Sequence, residues 1–281
     1  MGLLIGLGAA KSGTTWLHRY LAAHPECHAG PVKEMHWFDS AEADSWTWRL
    51  KSLRTEIERA RGRGERDRAS RIARFAAHVE RGERDDGTYL SILSEGAAPG
   101  ALRFEITPAY SLLPEEALRR MAALEEGTAR FLFVMRDPVG RMWSNLRMAA
   151  KRRGGSEGEI GRRAHDLMHA ALDPDGADHR ARSAYAAILP KLLAAIPRER
   201  LHLAFHEELF TQRSLDALTD FLGIARRKGA LRRRVHTGRA MPLDDDLAAR
   251  ARVLLDPHYA ATRRIMGRVP DAWMAHQEVP A

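Results

Sequence analysis

A single cysteine, Cys27, stands in the 281 residues of the chain. No disulfide can close within it, and no cluster of thiolates can hold a metal. Long apolar runs are missing too. No stretch approaches the ~18 apolar residues that a membrane-spanning helix needs. The first residues have no basic flank and no apolar run long enough for a secretory leader. A soluble, cytoplasmic protein with no membrane partner is the expectation. Acidic residues are outnumbered, with 37 Asp and Glu against 45 Lys and Arg, for a formal net charge of +8. That balance suits an anionic ligand, a nucleic acid or an acidic polymer, and equally a plain solvated surface. His165, His169 and His179 do not share a metal-ligand spacing, and no metal is expected. No internal repeat and no interdomain linker is visible. The length suits a single domain over residues 1–281, with a sizeable core and helical or mobile insertions near 45–100 and 150–180.

What the chain does have begins at its first residues. The apolar run Leu3-Leu4-Ile5-Gly6-Leu7 reads as a short buried strand. A loop of small residues follows, then Lys11, Ser12, Gly13, Thr14 and Thr15 in a row. Trp16, Leu17, Tyr20 and Leu21 next recur on one face of a helix. Strand, small-residue loop and helix form the arrangement in which free N–H groups at a helix start meet an anion, usually a phosphate. The full Walker A spacing is absent, because Ala10 precedes Lys11 and Ile5 takes the place of the first glycine.

A second anion signal lies at Arg130 to Arg141. Phe131-Leu132-Phe133-Val134-Met135 has the look of a fully buried parallel strand, and it runs into Arg136-Asp137-Pro138. Asp137 can cap a helix, and Pro138 fits its first position. Arg136 therefore sits at the carboxyl end of a strand, where open α/β sheets bind ligands. A guanidinium there can hold a phosphate through two parallel hydrogen bonds. Ser144 lies two turns into the helix.

Between these signals, Lys33-Glu34-Met35-His36-Trp37-Phe38 gathers two charges, a histidine and two aromatics; the aromatics read as core. Residues 45–86 alternate Arg and Glu with apolar residues, as one or two solvated helices joined around Gly62 to Gly64. Pro and Gly near 25–31 mark loops. Ala101 to Ile106 reads as an alternating strand and Leu201 to Phe205 as another. Strands near 3–7, 101–105, 131–135 and 201–205 alternate with helices. The fold class is α/β: a three-layer, P-loop-like fold with a central, mostly parallel sheet flanked by helices.

These motifs together resemble the PAPS-dependent sulfotransferases, and among them the glycosaminoglycan and heparan-sulfate type. KSGTTWL is similar to that family's 5′-phosphosulfate loop, which implies donor contacts from Lys11, Ser12, Gly13, Thr14, Thr15 and Trp16. R-D-P-x-x-R-x-x-S resembles its 3′-phosphate site, which implies Arg136 and Ser144. Lys33 to Phe38 is similar to its K-E-x-H-F-F segment, which implies Glu34 as the base for the acceptor hydroxyl, with His36 orienting it or sharing the role. Thr107-Pro108-Ala109-Tyr110 also occurs in that family, often after a lysine; here Ile106 holds that place. A basic, glycine-containing loop near the C-terminus implies Thr237, Gly238 and Arg239 at the nucleotide.

The resemblance implies PAPS as sulfuryl donor, PAP as product, no metal, and a carbohydrate or small-metabolite acceptor rather than nucleic acid. Two other readings share features with it. A P-loop nucleotide kinase or NTPase would require Mg²⁺ and turn over ATP. A non-enzymatic polyanion binder would show steeply salt-dependent binding and no affinity for PAPS.

Overall fold

The computed structural model describes residues 2–231 and 241–274. Five strands form one sheet: β1 (Leu3–Gly8), β2 (Cys27–Ala29), β3 (Leu102–Ile106), β4 (Arg130–Met135) and β5 (Leu201–Phe205). Their spatial order is β2-β3-β1-β4-β5, and all four pairings are parallel. The main helices are α1 (Thr14–Ala22), α2 (Trp37–Glu42), α3 (Trp46–Gly62), α4 (Arg66–Glu80), α5 (Asp86–Ser94) and α6 (Glu115–Ala122). They continue with α7 (Pro138–Arg152), α8 (Glu157–Leu172), α9 (Tyr185–Ala195), α10 (Gln212–Leu222) and α11 (Asp245–Met266).

Side chains alternate across a strand, so β1 feeds two cores. Leu3, Ile5 and Leu7 join Phe131 and Phe133 against α2 to α5, α7, α8, α9 and α11. Leu4 joins Phe104, Leu132 and Val134 on the other face, under α1 and α10. Helix, sheet and helix make the three layers expected of a parallel sheet buried on both sides.

The strand read as alternating, β3, is buried at all of its residues. Its two charges are buried with partners rather than exposed. Arg103 donates to Ser94 Oγ at 2.7 Å and to Glu125 Oε2 at 2.6 Å, and Glu105 sits among hydroxyls. The segment read as loops around 25–31 contains β2. Leu102 N–H donates to Glu26 O at 2.8 Å and Gly30 N–H to Phe104 O at 2.9 Å, holding β2 at the sheet edge.

The 45–100 segment is helical, with α3 and α4 turning at Gly64. Its outer face carries exposed ion pairs such as Arg54–Glu80 and Arg61–Glu58. Its inner face buries Leu53, Ile57, Ile72, Phe75 and Val79 in the main core. The 150–180 segment is largely helical as well, and Ser156 and Glu159 close a capping box at the start of α8.

After β1 the chain builds outward to β2 and β3 on one side, then crosses to β4 and β5 on the other. The carboxyl end of β1 is thus the point where the strand order reverses, the position at which open α/β sheets bind ligands.

Candidate active site

The loop from β1 to α1 lies at that reversal. Lys11 (φ 72°) and Gly13 (φ 87°) both adopt left-handed backbone, which folds the loop tightly before α1 begins. Only glycine fits position 13, because a Cβ there would lie 2.9 Å from Leu209 Cδ2 and 3.0 Å from His206 Nδ1. No side chain caps α1. The helix start therefore offers its first N–H groups to an anion. The Ser12 side chain is fully buried, and its Oγ has no partner among the described residues. Thr14 is buried and Thr15 half-buried. Burial lowers the Lys11 ammonium below the usual lysine range, and Arg136, Arg147, Arg152 and Lys33 lower it further. Its Nζ lies 3.6 Å from Met148 Sδ of α7.

Arg136 is delivered to the same place by the corner between β4 and α7. Asp137 caps α7, accepting from Gly140 N at 2.6 Å, and Pro138 takes the first turn. The Tyr185 hydroxyl accepts from Arg136 N at 3.0 Å and donates to Arg136 O at 2.9 Å. Glu207 Oε1 accepts from Asp137 N at 3.0 Å, and the Tyr259 hydroxyl donates to Asp137 Oδ2 at 2.5 Å. Held by this corner, the Arg136 guanidinium donates through Nη1 to Lys11 O at 3.0 Å. Two segments 125 residues apart thus meet at one point of the fold.

Ser144 is half-buried and one turn before Met148, so it shares the α7 face that meets Lys11. Sequence reasoning passed over two cations of the same helix, Arg147 and Arg152. Arg147 rests over Trp143, and its buried Nε has no partner among the described residues. The like-charge effect of both on Lys11 is the signal of their convergence. Among the described residues, none of Lys11, Arg136, Arg147 and Arg152 has a carboxylate within salt-bridge distance. A cluster of unpaired cations at a helix start fits a ligand carrying several negative charges.

The third segment is the turn before α2. Glu34 (φ 64°) and His36 (φ 50°) both hold left-handed backbone, a conformation that non-glycine residues adopt only under local constraint. Lys33 Nζ pairs with Glu34 Oε1. His36 Nε2 lies 3.7 Å from Glu34 Oε2, and its Nδ1 lies 2.6 Å from Asp39 Oδ2. Burial opposes ionisation of Glu34, but His36 and Lys33 outweigh it and hold the carboxyl at about 2. Burial likewise opposes the charge on His36, and Asp39 with Glu34 overrides it, raising the imidazole to about 9. Basic and acidic side chains thus alternate through Lys33, Glu34, His36 and Asp39. Trp48, 52% exposed, meets the His36 ring edge-on at 5.2 Å. Lys33 also lowers the Lys11 ammonium by like charge.

Trp16 is not brought there. Its ring, 6% exposed, stacks on Tyr20 and meets Phe210 in the core beneath α1. Its N–H donates to Gly13 O at 3.0 Å, so neither group is left for a ligand. Ile106, in the place of the lysine, is buried against Gly6 at the sheet centre. Thr237, Gly238 and Arg239 lie outside the described residues. Among the described residues no three His, Cys, Asp or Glu side chains gather as a metal site, and no helix is long and apolar enough to cross a membrane.

Comparison with known proteins gives a consistent picture. A family model described as "Sulfotransferase family" matches residues 4–228. A sulfotransferase from Alicyclobacillus acidocaldarius superposes with a TM-score of 0.64 at 19% identity, covering 98% of this chain and 99% of the other. The sulfotransferase domain of the curacin biosynthetic pathway gives 0.58 at 18% identity, covering 96% and 99%. That of the Synechococcus PCC 7002 olefin synthase gives 0.50 at 15% identity, covering 96% and 95%. At these identities the likeness is one of fold. No curated protein sequence matches the chain.

Proposed function

Because the chain belongs to the sulfotransferase family, we propose that it moves the sulfuryl group of PAPS to the hydroxyl of a carbohydrate or small metabolite. The observation that carries this reading is the hydrogen bond from Arg136 Nη1 to Lys11 O. It supports a shared site in which Arg136 would hold the 3′-phosphate and the loop after β1 the 5′-phosphosulfate. The buried, unpartnered Ser12 Oγ and the uncapped start of α1 fit an anion at the loop. Ser144, on the α7 face that meets Lys11, adds a hydroxyl for the same ligand.

In the reaction the acceptor oxygen forms a bond to sulfur while the bond from sulfur to the 5′-phosphate oxygen breaks. The bonding pair stays on that phosphate oxygen, and the acceptor proton passes to a base. Like phosphoryl transfer, this in-line step is accelerated by positioning and by positive charge. Lys11 and the N–H groups of residues 13 to 15 stabilise the charge that grows on the leaving oxygen. Glu34 takes the proton. It is ionised and so can accept, but its two cationic neighbours make it a weak base at rest. An acceptor hydroxyl reaches it by displacing Lys33 or His36, and the loss of either cation strengthens the base. Such proton transfer typically contributes about 10²–10⁴ in rate.

The test is thermal-shift screening with PAP, 5′-AMP, ATP and GTP, then an acceptor panel with labelled PAPS. PAP should raise the melting temperature well above the effect of 5′-AMP, and label should move to a hydroxyl acceptor. Stabilisation by ATP or GTP with Mg²⁺ and none by PAP would overturn the assignment.

A further inference from the structure

Beneath the turn that carries Glu34 lies a buried carboxylate with no part in the chemistry above. Glu105 of β3 is 1% exposed and has no cation within salt-bridge distance among the described residues. Its partners are hydroxyls. Thr107 Oγ1 donates to Glu105 Oε2 at 2.7 Å, and the Tyr89 hydroxyl approaches Oε1 at 3.4 Å. The buried Tyr110 hydroxyl lies in the field of the same carboxyl. Two of these hydroxyls also face upward. Thr107 Oγ1 accepts from His36 N–H at 3.3 Å, and the Tyr110 oxygen accepts from Trp37 N–H at 2.9 Å. The two consecutive main-chain donors that follow Glu34 and Met35 are therefore both received by hydroxyls, and that of Thr107 in turn donates to Glu105.

We propose that Glu105 is a positioning residue for the transfer reaction: by accepting from Thr107 it turns that hydroxyl's lone pairs toward His36 N–H and so fixes the strained turn that presents Glu34. The proposal rests on the reading of Glu34 as the base. It also gives a role to the Thr107-Pro108-Ala109-Tyr110 segment, which the donor site leaves unused.

Three features support it. A hydroxyl has one hydrogen, so a carboxyl oxygen that accepts it decides which way its lone pairs face. Left-handed backbone at Glu34 and His36 persists only where the surroundings over-determine it. Thr107 is itself fixed, since its N–H donates to Gly6 O at 2.9 Å and its O accepts from Tyr110 N at 3.1 Å. The floor of the turn is thereby tied to β1, which carries the donor loop. Burial raises Glu105 to about 7, opposed by Thr107, Tyr110 and His36 and seconded by Asp39. Arg49, buried nearby in α3 with Nε and Nη2 unpaired, adds a positive field.

The experiment compares wild type with Thr107→Val, Thr107→Ser and Glu105→Gln. It measures amide hydrogen exchange of the 33–38 segment, the kcat for sulfuryl transfer, and the KM for PAPS. Thr107→Val keeps the shape and removes the acceptor. It should speed exchange at His36 by about tenfold, the effect of one lost hydrogen bond, and lower kcat by a similar factor with KM for PAPS unchanged. Glu105→Gln should act in the same direction, and Thr107→Ser should restore both. Wild-type exchange and kcat in Thr107→Val, or equal damage in Thr107→Ser, would overturn the proposal. Faster exchange in a protein whose wild type transfers no sulfuryl group would leave the anchoring in place and remove the sulfotransferase reading instead.

Discussion

At the scale of single residues, the turn before α2 sets a carboxylate between two cations, and its reactivity follows from that. Glu34, held at about 2, is ionised at any working pH. Glu34→Gln keeps the shape and removes the proposed base, so kcat should fall by about 10²–10⁴ while PAP binds as in wild type. Calorimetric titration with PAP beside steady-state rates checks this; an unchanged rate would move the base to another group. His36 makes the complementary prediction. Its folded-state value is raised to about 9 from an ordinary 6.5 by Asp39 and Glu34. The stability it lends is fully present below about 6.5 and is lost as pH rises through about 9. An NMR titration of the His36 ring should show a midpoint near 9, and thermal unfolding of His36→Gln should lose part of the decline between those values. A ring midpoint at or below the ordinary value would show that the pairs with Glu34 and Asp39 do not form in solution.

At the scale of elements, the corner between β4 and α7 decides where Arg136 points. The Tyr185 hydroxyl bonds to both main-chain groups of Arg136, and its ring is fully buried. Tyr185→Phe leaves the packing and removes both bonds. Affinity for PAP should drop about tenfold with the far-UV spectrum unchanged, and Arg136→Ala should weaken PAP far more than 5′-AMP. Equal losses for both nucleotides would argue against a 3′-phosphate contact. This corner was legible in the sequence because each part has a local signal: an apolar run, an aspartate cap, a proline at the first turn. The loop after β1 was legible for the same reason. β2 was not, since Cys27-His28-Ala29 carries neither a run nor an alternation, and the sheet edge alone makes it a strand. β3 misled because Arg103 and Glu105 alternate with apolar residues, and only tertiary partners show that both charges are buried. Trp16 lay inside a motif that resembled a donor loop, yet its helical spacing with Tyr20 placed it in the core.

At the scale of the whole molecule, the excess of positive charge is not spread evenly. Arg136, Arg147 and Arg152 all act on Lys11 by like charge, without a carboxylate of their own within salt-bridge distance among the described residues, while α3 and α4 pair their charges on the surface. The protein therefore folds against self-repulsion around Lys11, and a polyanionic ligand relieves it. Lys11 shows the sign. A lysine whose folded-state value lies below its ordinary 10.5 holds its charge at the expense of the folded form at neutral pH, and that loss disappears only as pH rises past the lowered value. Lys11→Met keeps the chain length and removes the charge. The ligand-free protein should melt roughly 1–3 °C higher than wild type at low salt, in the manner of a stabilising change at a strained functional site. The same variant should lose sulfuryl transfer and most of the stabilisation by PAP. Differential scanning calorimetry at low and high ionic strength, with and without PAP, separates the two effects, because salt screens the repulsion and should narrow the gap between ligand-free proteins. A variant that melts lower than wild type, or keeps the full PAP shift, would show that the ammonium is neither strained by its neighbours nor part of the donor site.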